Sequence, residues 1–190
     1  NDTSIDKQSL IFADNINGHH GFNCCLSNDG KYLAIGDQPN VTIYKKKIYF
    51  GDTQYDFWKT VKLNVDSVES YFGVTIKFAG YNSDQLHIFA SSQLSRDVFK
   101  IYDTILYTGD DDVDNSKTTI FVDILKPALI IEDIGTLLSN NIHRQLRFDV
   151  TTDGNTIVVG HPCADIGGTT DTGVVRVYIK NDDGNFEKQA

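Results

Sequence analysis

The sequence predicts an all-β chain that repeats a unit of about four short antiparallel strands. Three observations lead there. Of the 26 acidic residues, 23 are Asp and 3 are Glu, and Asp suits turns where Glu suits helices. Residues that pack well on a pleated surface are plentiful, with 11 Phe and 9 Tyr beside many Ile, Val and Thr. A strand, a polar turn and a second strand recur three times in the same order.

Residues 1–20 contain Gln8-Ser9-Leu10-Ile11-Phe12, which reads as the last strand of a preceding unit. The first unit, 21–66, opens with Gly21-Phe22-Asn23-Cys24-Cys25-Leu26, turns at Asp29-Gly30 and returns through Tyr32-Leu33-Ala34-Ile35-Gly36. Asp-Gly between apolar runs is a strong hairpin signal, because the turn needs positive φ. A third strand at 41–45 and a fourth at 57–63 follow. The second unit, 71–134, has strands at 72–78 and 86–90 around a turn at 81–84, then a third strand at 98–102. Residues 119–124 read as its fourth strand. An insertion spans about 107–145, with 127–131 as an extra edge strand and 135–141 as a helical turn or a loop. The third unit, 146–190, repeats the first: a hairpin across Asp153-Gly154, an alternating strand at 174–178, and the start of another at 186–189. Second strands begin at Leu33, His87 and Ile157, so the intervals are 54 and 70 residues. Four short strands at such a spacing are what the blades of a β-propeller look like.

At 190 residues, 40% apolar and 11% aromatic, the chain forms one domain with a real core and is not intrinsically disordered. The formal charge is −9 with a pI near 4.8, and the one dense basic run is Lys45-Lys46-Lys47. That excludes a binder of nucleic-acid backbones, which draws affinity from clustered Lys and Arg. No apolar stretch approaches the roughly 18 residues of a membrane span. The chain has no Met, so Asn1 is expected to begin a mature form, a processed piece or a fragment. Two glycosylation sequons, Asn1-Asp2-Thr3 and Asn40-Val41-Thr42, are present. The cysteines are Cys24, Cys25 and Cys163. The adjacent pair points to opposite faces of a strand. The three are either partly buried thiols or form one bridge from Cys163 to a member of the pair.

The repeated units resemble the FG-GAP repeats of β-propellers, the family that includes the integrin α-chain head. Phe72-Gly73 carries the opening of that motif. Gly160-His161-Pro162 stands where Gly-Ala-Pro would be, and Gly173-Val174-Val175-Arg176-Val177-Tyr178 matches the closing strand. Gly36-Asp37-Gln38-Pro39 is a degenerate version, and Ala90-Ser91-Ser92 has lost both Gly and Pro. The resemblance covers roughly residues 20–190 and implies about three four-stranded antiparallel blades, an incomplete ring or part of a larger propeller. A Gly that closes a second strand lets a neighbouring backbone approach closely.

Calcium-binding members carry Asp-x-Asp-x-Asp-Gly loops between the first and second strands. Here the corresponding turns, at Asn28-Asp29-Gly30, 81–84 and Thr152-Asp153-Gly154, lack the oxygen ligands Ca²⁺ requires. The remaining candidate ligands are Asp110, Asp112 and Asp114, at the alternate spacing of a calcium loop but without a closing Glu. The expectation is no cofactor, with at most loose Ca²⁺ occupancy there. His19-His20 and His161-Pro162-Cys163 supply too few paired ligands for zinc, and His87 reads as a hydrogen-bonded core or interface histidine. Gly167-Gly168 through Gly173 lies between two strands and reads as a connection, not a phosphate cradle. Nucleophile, phosphate-loop and dinucleotide signatures are missing. Trp58 and the tyrosines read as packing rather than as a sugar platform.

The sequence therefore points to a non-catalytic, propeller-type binding or scaffold module making protein–protein or glycan contacts, with other chains or chain segments completing the propeller. A structural component of a large assembly, such as a virion or a cell-surface layer, is the alternative, since the composition resembles that of AT-rich genomes. A propeller-type glycosidase or lyase comes third. An extracellular, surface or virion location is expected over a cytoplasmic one.

Overall fold

The structure, a computed structural model, describes residues 23–37, 40–63, 72–80, 85–95, 98–108, 119–122, 126–132, 146–162, 164, 166–169 and 172–189. Among these residues there are thirteen strands and no helix, and hence no helix long and apolar enough to cross a membrane. The all-β expectation holds.

Three separate sheets form, in chain order apart from β8. The first comprises β1 (Cys24–Leu26), β2 (Tyr32–Asp37), β3 (Asn40–Tyr49), β4 (Asp52–Leu63) and β8 (Thr119–Val122), side by side in that order. The second comprises β5 (Ile76–Ala79), β6 (Gln85–Ser95), β7 (Val98–Tyr107) and β9 (Leu129–Glu132). The third comprises β10 (Arg147–Val150), β11 (Thr156–His161), β12 (Val174–Lys180) and β13 (Phe186–Lys188). None closes on itself.

Two strand assignments differ from the sequence expectation. Residues 119–122 do not complete the second sheet. They pair in parallel with the outer edge of β4, Thr60 opposite Thr119 and Leu63 opposite Val122. The fourth strand of the second sheet is β9, expected as an extra edge strand, which pairs antiparallel with β7. The first sheet is thus five-stranded and mixed, not a four-stranded antiparallel unit. Both segments are short and apolar, so local pattern could not tell which sheet edge each would cover. Burial decides it: Val122 and Ile120 reach the core of the first sheet, Leu129 and Ile131 that of the third.

The Asp-Gly hairpins form as expected, with a wider turn than a two-residue loop. Gly30 and Gly154 take positive φ, 66° and 72°, while the Asp before each does not. Gly30 N–H donates to the Ser27 carbonyl and Gly154 N–H to the Thr151 carbonyl. The Ser27 and Thr151 hydroxyls donate to Asp29 and Asp153 in turn. A third copy joins β12 to β13, where the Asn181 carboxamide oxygen accepts from the Asp183 and Asn185 N–H groups and Gly184 has φ 84°. A type I turn closed by a left-handed Gly satisfies each loop internally. Partial burial pushes the Asp29 carboxyl up, but the Ser27 hydroxyl and Lys31 outweigh it and hold it below the usual range. The Thr151 hydroxyl does the same for Asp153.

The second sheet is enclosed on both faces. Phe78, Leu86, Ile88, Ala90 and Tyr102 turn toward the first sheet and join Tyr32, Ala34, Val41 and Ile43 in one core. The alternate residues Ala79, Phe89, Phe99 and Ile101 turn the other way and join Phe148, Ile157, Val159 and Tyr178 of the third sheet in another. Period-two alternation makes this division. The first strands come together, with β5 lying against both β1 and β10. At this end Lys77 pairs with Asp149 at 3.2 Å, and Gly80 N–H donates to the Thr152 carbonyl at 2.7 Å.

The first interface is closed by two glycines. Phe72 is fully buried against Tyr102, ring centroids 6.1 Å apart, and brings Gly73 onto Gly36. A Cβ on Gly36 would lie 2.3 Å from the Gly73 carbonyl oxygen. Gly73 itself has φ 81°, and a Cβ there would meet Val41 at 2.9 Å. The close approach expected of a Gly ending the second strand is what this position requires. Gly36→Ala is therefore expected to force the two sheets apart, costing about 3 kcal/mol and lowering the Tm by roughly 6–12 °C. A thermal melt checks this.

Candidate contact site at the β3–β4 hairpin tip

β3 and β4 are the longest neighbouring pair in the first sheet, and they outrun the rest of it. β2 ends its pairing with β3 at Tyr32 opposite Lys45. The Lys46 N–H still donates to the Lys31 carbonyl at 2.7 Å, and the Tyr55 hydroxyl reaches the Gly30 carbonyl at 2.7 Å. Past that base the two strands continue with no third strand beside them among the described residues, Lys47 opposite Gln54, Ile48 opposite Thr53 and Tyr49 opposite Asp52. A two-stranded ribbon has little stability of its own, so these backbone anchors hold the tip in place.

The tip turn is Phe50-Gly51, and both residues take positive φ, 51° and 97°. That is the φ pattern of a type I′ turn, whose first position favours Asn, Asp or Gly. Phe50 is the one non-glycine residue with positive φ among the described residues. Its left-handed backbone costs about 1 kcal/mol, and its ring is fully exposed. Ile48 is 72% exposed on the same ribbon. Burying such side chains is worth about 2 kcal/mol each, so the tip holds unused binding free energy. Lys46 and Lys47 flank it, Lys47 within 3.8 Å of Asp56. The tip can seat two apolar side chains in a pocket and offer ammonium groups to an acidic rim.

A β-bulge lower down positions the aromatic residues. Ile43 faces Lys59 while Tyr44 faces Phe57, leaving Trp58 as the extra residue. Trp58 packs on the first core against Tyr32, centroids 5.0 Å apart, with the Lys59 ammonium 4.7 Å and the Lys45 ammonium 5.9 Å from its ring centre. It is a packing residue, as the sequence suggested. Phe57 turns to the opposite face, edge-on to Tyr44 at 6.4 Å.

The sequence-derived candidates fall elsewhere. Asp110, Asp112 and Asp114 lie outside the described residues, as do His19, His20 and Cys163. Cys24 and Cys25 point to opposite faces of β1, as expected. Cys24 is exposed and Cys25 half-buried, and burial pushes the Cys25 thiol up to about 12 against the pull of Lys77. His87 is hydrogen-bonded, its Nδ1 at 2.9 Å from Asp103 Oδ1 and 3.0 Å from Oδ2, and Gly80 leaves room for its ring. His161 is buried on β11. Gly167 and Gly168 form a small turn between β11 and β12, closed by the Ile166–Thr169 bridge. Among the described residues no three His, Cys, Asp or Glu side chains gather as metal ligands.

The hairpin tip was not legible as a site in the sequence. From the sequence the third and fourth strands of this unit are expected at 41–45 and 57–63, with no strand assigned to 46–56. The available signal was an aromatic residue before Gly51-Asp52, where a short turn normally holds Asn or Asp. No protein family matches the chain, and no curated protein does.

Phe50→Asn installs the preferred type I′ pair and removes exposed apolar surface. It is expected to raise stability by about 1 kcal/mol, or roughly 2–4 °C in Tm. Thermal and urea unfolding of the full chain would check this.

Proposed function

We propose that the chain is a non-catalytic binding and scaffold module of β-propeller type. On this reading its three sheets are consecutive blades of an incomplete ring, and the β3–β4 tip contacts a protein partner. The observation that carries the contact is Phe50, held outward in a conformation that Asn or Gly would adopt more easily. A residue that breaks the local rule and exposes a large apolar ring is retained at the expense of stability, which is the mark of a site used for something else.

Support for the blade reading comes from the sheet order. Each sheet runs outward in chain order from its first strand, and β5 lies beside both β1 and β10. The seating of Gly73, from the Phe-Gly pair, on Gly36 at the close of the preceding second strand supports the likeness to FG-GAP repeats. Sheets from other chains or segments complete the ring, and a surface or particle location suits such a module.

The test compares the wild-type chain with Phe50→Asn and Ile48→Thr, each immobilised against proteins of the source surface or particle. A specific protein held by the wild type and lost from both variants, at unchanged or higher Tm, is the expected result. Equal capture by all three, saturable binding on a glycan array, or turnover of a polysaccharide would contradict it.

A further inference from the structure

We propose that the outward face of the third sheet is the seat of a fourth β-sheet of the same repeat, opened by a Gly-containing turn like Phe72-Gly73. The proposal rests on reading the sheets as consecutive blades. It comes from a residue-by-residue equivalence between the first and third sheets. In the first, Gly36 lies opposite Val41, Ala34 opposite Ile43 and Tyr32 opposite Lys45. In the third, Gly160 lies opposite Val175, Val158 opposite Val177 and Thr156 opposite Ile179. The two hairpins share one register, so the six residues of each set occupy the same face of the same unit.

The two faces differ in what covers them. Ala34, Val41 and Ile43 are fully buried because the second sheet sits on them. Of their counterparts, Val175 is 62% and Val158 37% exposed and Val177 is half-buried; Ile179, at the position of Lys45, is 42% exposed on the same face. The glycines differ in the same sense. Gly36 leaves no room for a Cβ, because the Gly73 carbonyl is there. A Cβ on Gly160 would meet nothing nearer than the Arg147 carbonyl oxygen, at 3.9 Å. Gly160 does not have the positive φ that would call for Gly, so backbone conformation does not explain it. A neighbouring backbone arriving as Gly73 arrives on Gly36 does. The face continues the series of interfaces that joins the first sheet to the second and the second to the third.

The same molecule indicates that the occupant is not a second copy. A copy would have to offer the inward side of one of its own sheets. On the second and third sheets that side is already packed. On the first, the central strands of the side that turns away from the second sheet are covered at Ile35, Thr42 and Tyr44, and the exposed residues there, Cys24, Leu26 and Phe57, lie on the flanking strands β1 and β4, off the centre where a sheet would seat. The partner is therefore a further sheet, with an alternating apolar face like that of β5, β6 and β7.

The test extends the full chain at Ala190 with a second copy of residues 64–189, which supplies the second sheet, known to fit this kind of face, with its far side already covered by the third. Limited proteolysis reads whether the added segment docks. The expected result is a resistant extended chain, trimmed back to the parent length when Gly160→Val or Val175→Lys is introduced. In the unextended chain Gly160→Val should leave the Tm unchanged, since it meets open space. An added segment that is trimmed in every case, or that resists despite both substitutions, overturns the proposal. So does a dimer of the unextended chain, seen by light scattering, that Val175→Lys dissolves. Failure of the blade reading shows separately, as a Gly36→Ala variant of the unextended chain that melts like the wild type.

Discussion

The constraint on which the rest depends is that the second sheet has no solvent face. Its strands are apolar at odd and at even positions, so neither side can be left in water. Phe89 and Ile101 go one way, Ile88 and Tyr102 the other, and all four are fully buried. At about 2 kcal/mol for each large side chain removed from water, enclosing this sheet is a dominant stabilising contribution of the fold. The first and third sheets, by contrast, each need only one apolar side to do this. Two of the polar groups caught in the stack find local partners: His87 pairs with Asp103, and the Thr75 N–H donates to the Ser91 hydroxyl at 3.0 Å.

Close stacking then dictates where glycine must stand. Side chains alone would hold neighbouring sheets about 10 Å apart, and the corner where the chain passes from the first sheet to the second is tighter than that. Gly36 and Gly73 solve it jointly, one by lacking a Cβ beneath a carbonyl and the other by taking positive φ. At the second interface a Cβ on Gly154 would make only ordinary contact with Ala79 and Phe89, at 3.8 Å, so there it is the positive φ closing the Asp-Gly turn, not the approach of the sheets, that calls for glycine. The edge ring of Phe186 on Phe89, 6.4 Å away, completes that side.

The sequence made the hairpins legible because their signals are local. Asp29-Gly30 and Asp153-Gly154 mark turns by chemistry, and the alternation of 174–178 marks a strand. What it did not reveal depended on distant partners. Thr119–Val122 and Leu129–Glu132 look alike as short apolar runs, and only the free edges of β4 and β7 decide between them. The length of the β3–β4 ribbon was hidden for another reason. Lys45-Lys46-Lys47 and Gln54 look like a loop, because a ribbon exposed on both faces loses the apolar alternation that identifies a strand. The Phe50 tip was hidden with it. A residue placed against its local preference is one that propensity-based reading mislocates.

Hydrogen exchange tests the enclosed second sheet most directly. If both its faces are packed, backbone amides of β6 and β7 within 86–91 and 99–102 can exchange only when the stack opens as a whole, so their exchange should match the global unfolding free energy. Amides of β12 and β13, on the sheet with one open face, should exchange faster through local opening. Amides in 86–91 and 99–102 that exchange as fast as those of β12 would contradict the account, because they would mean that one face of the second sheet is free.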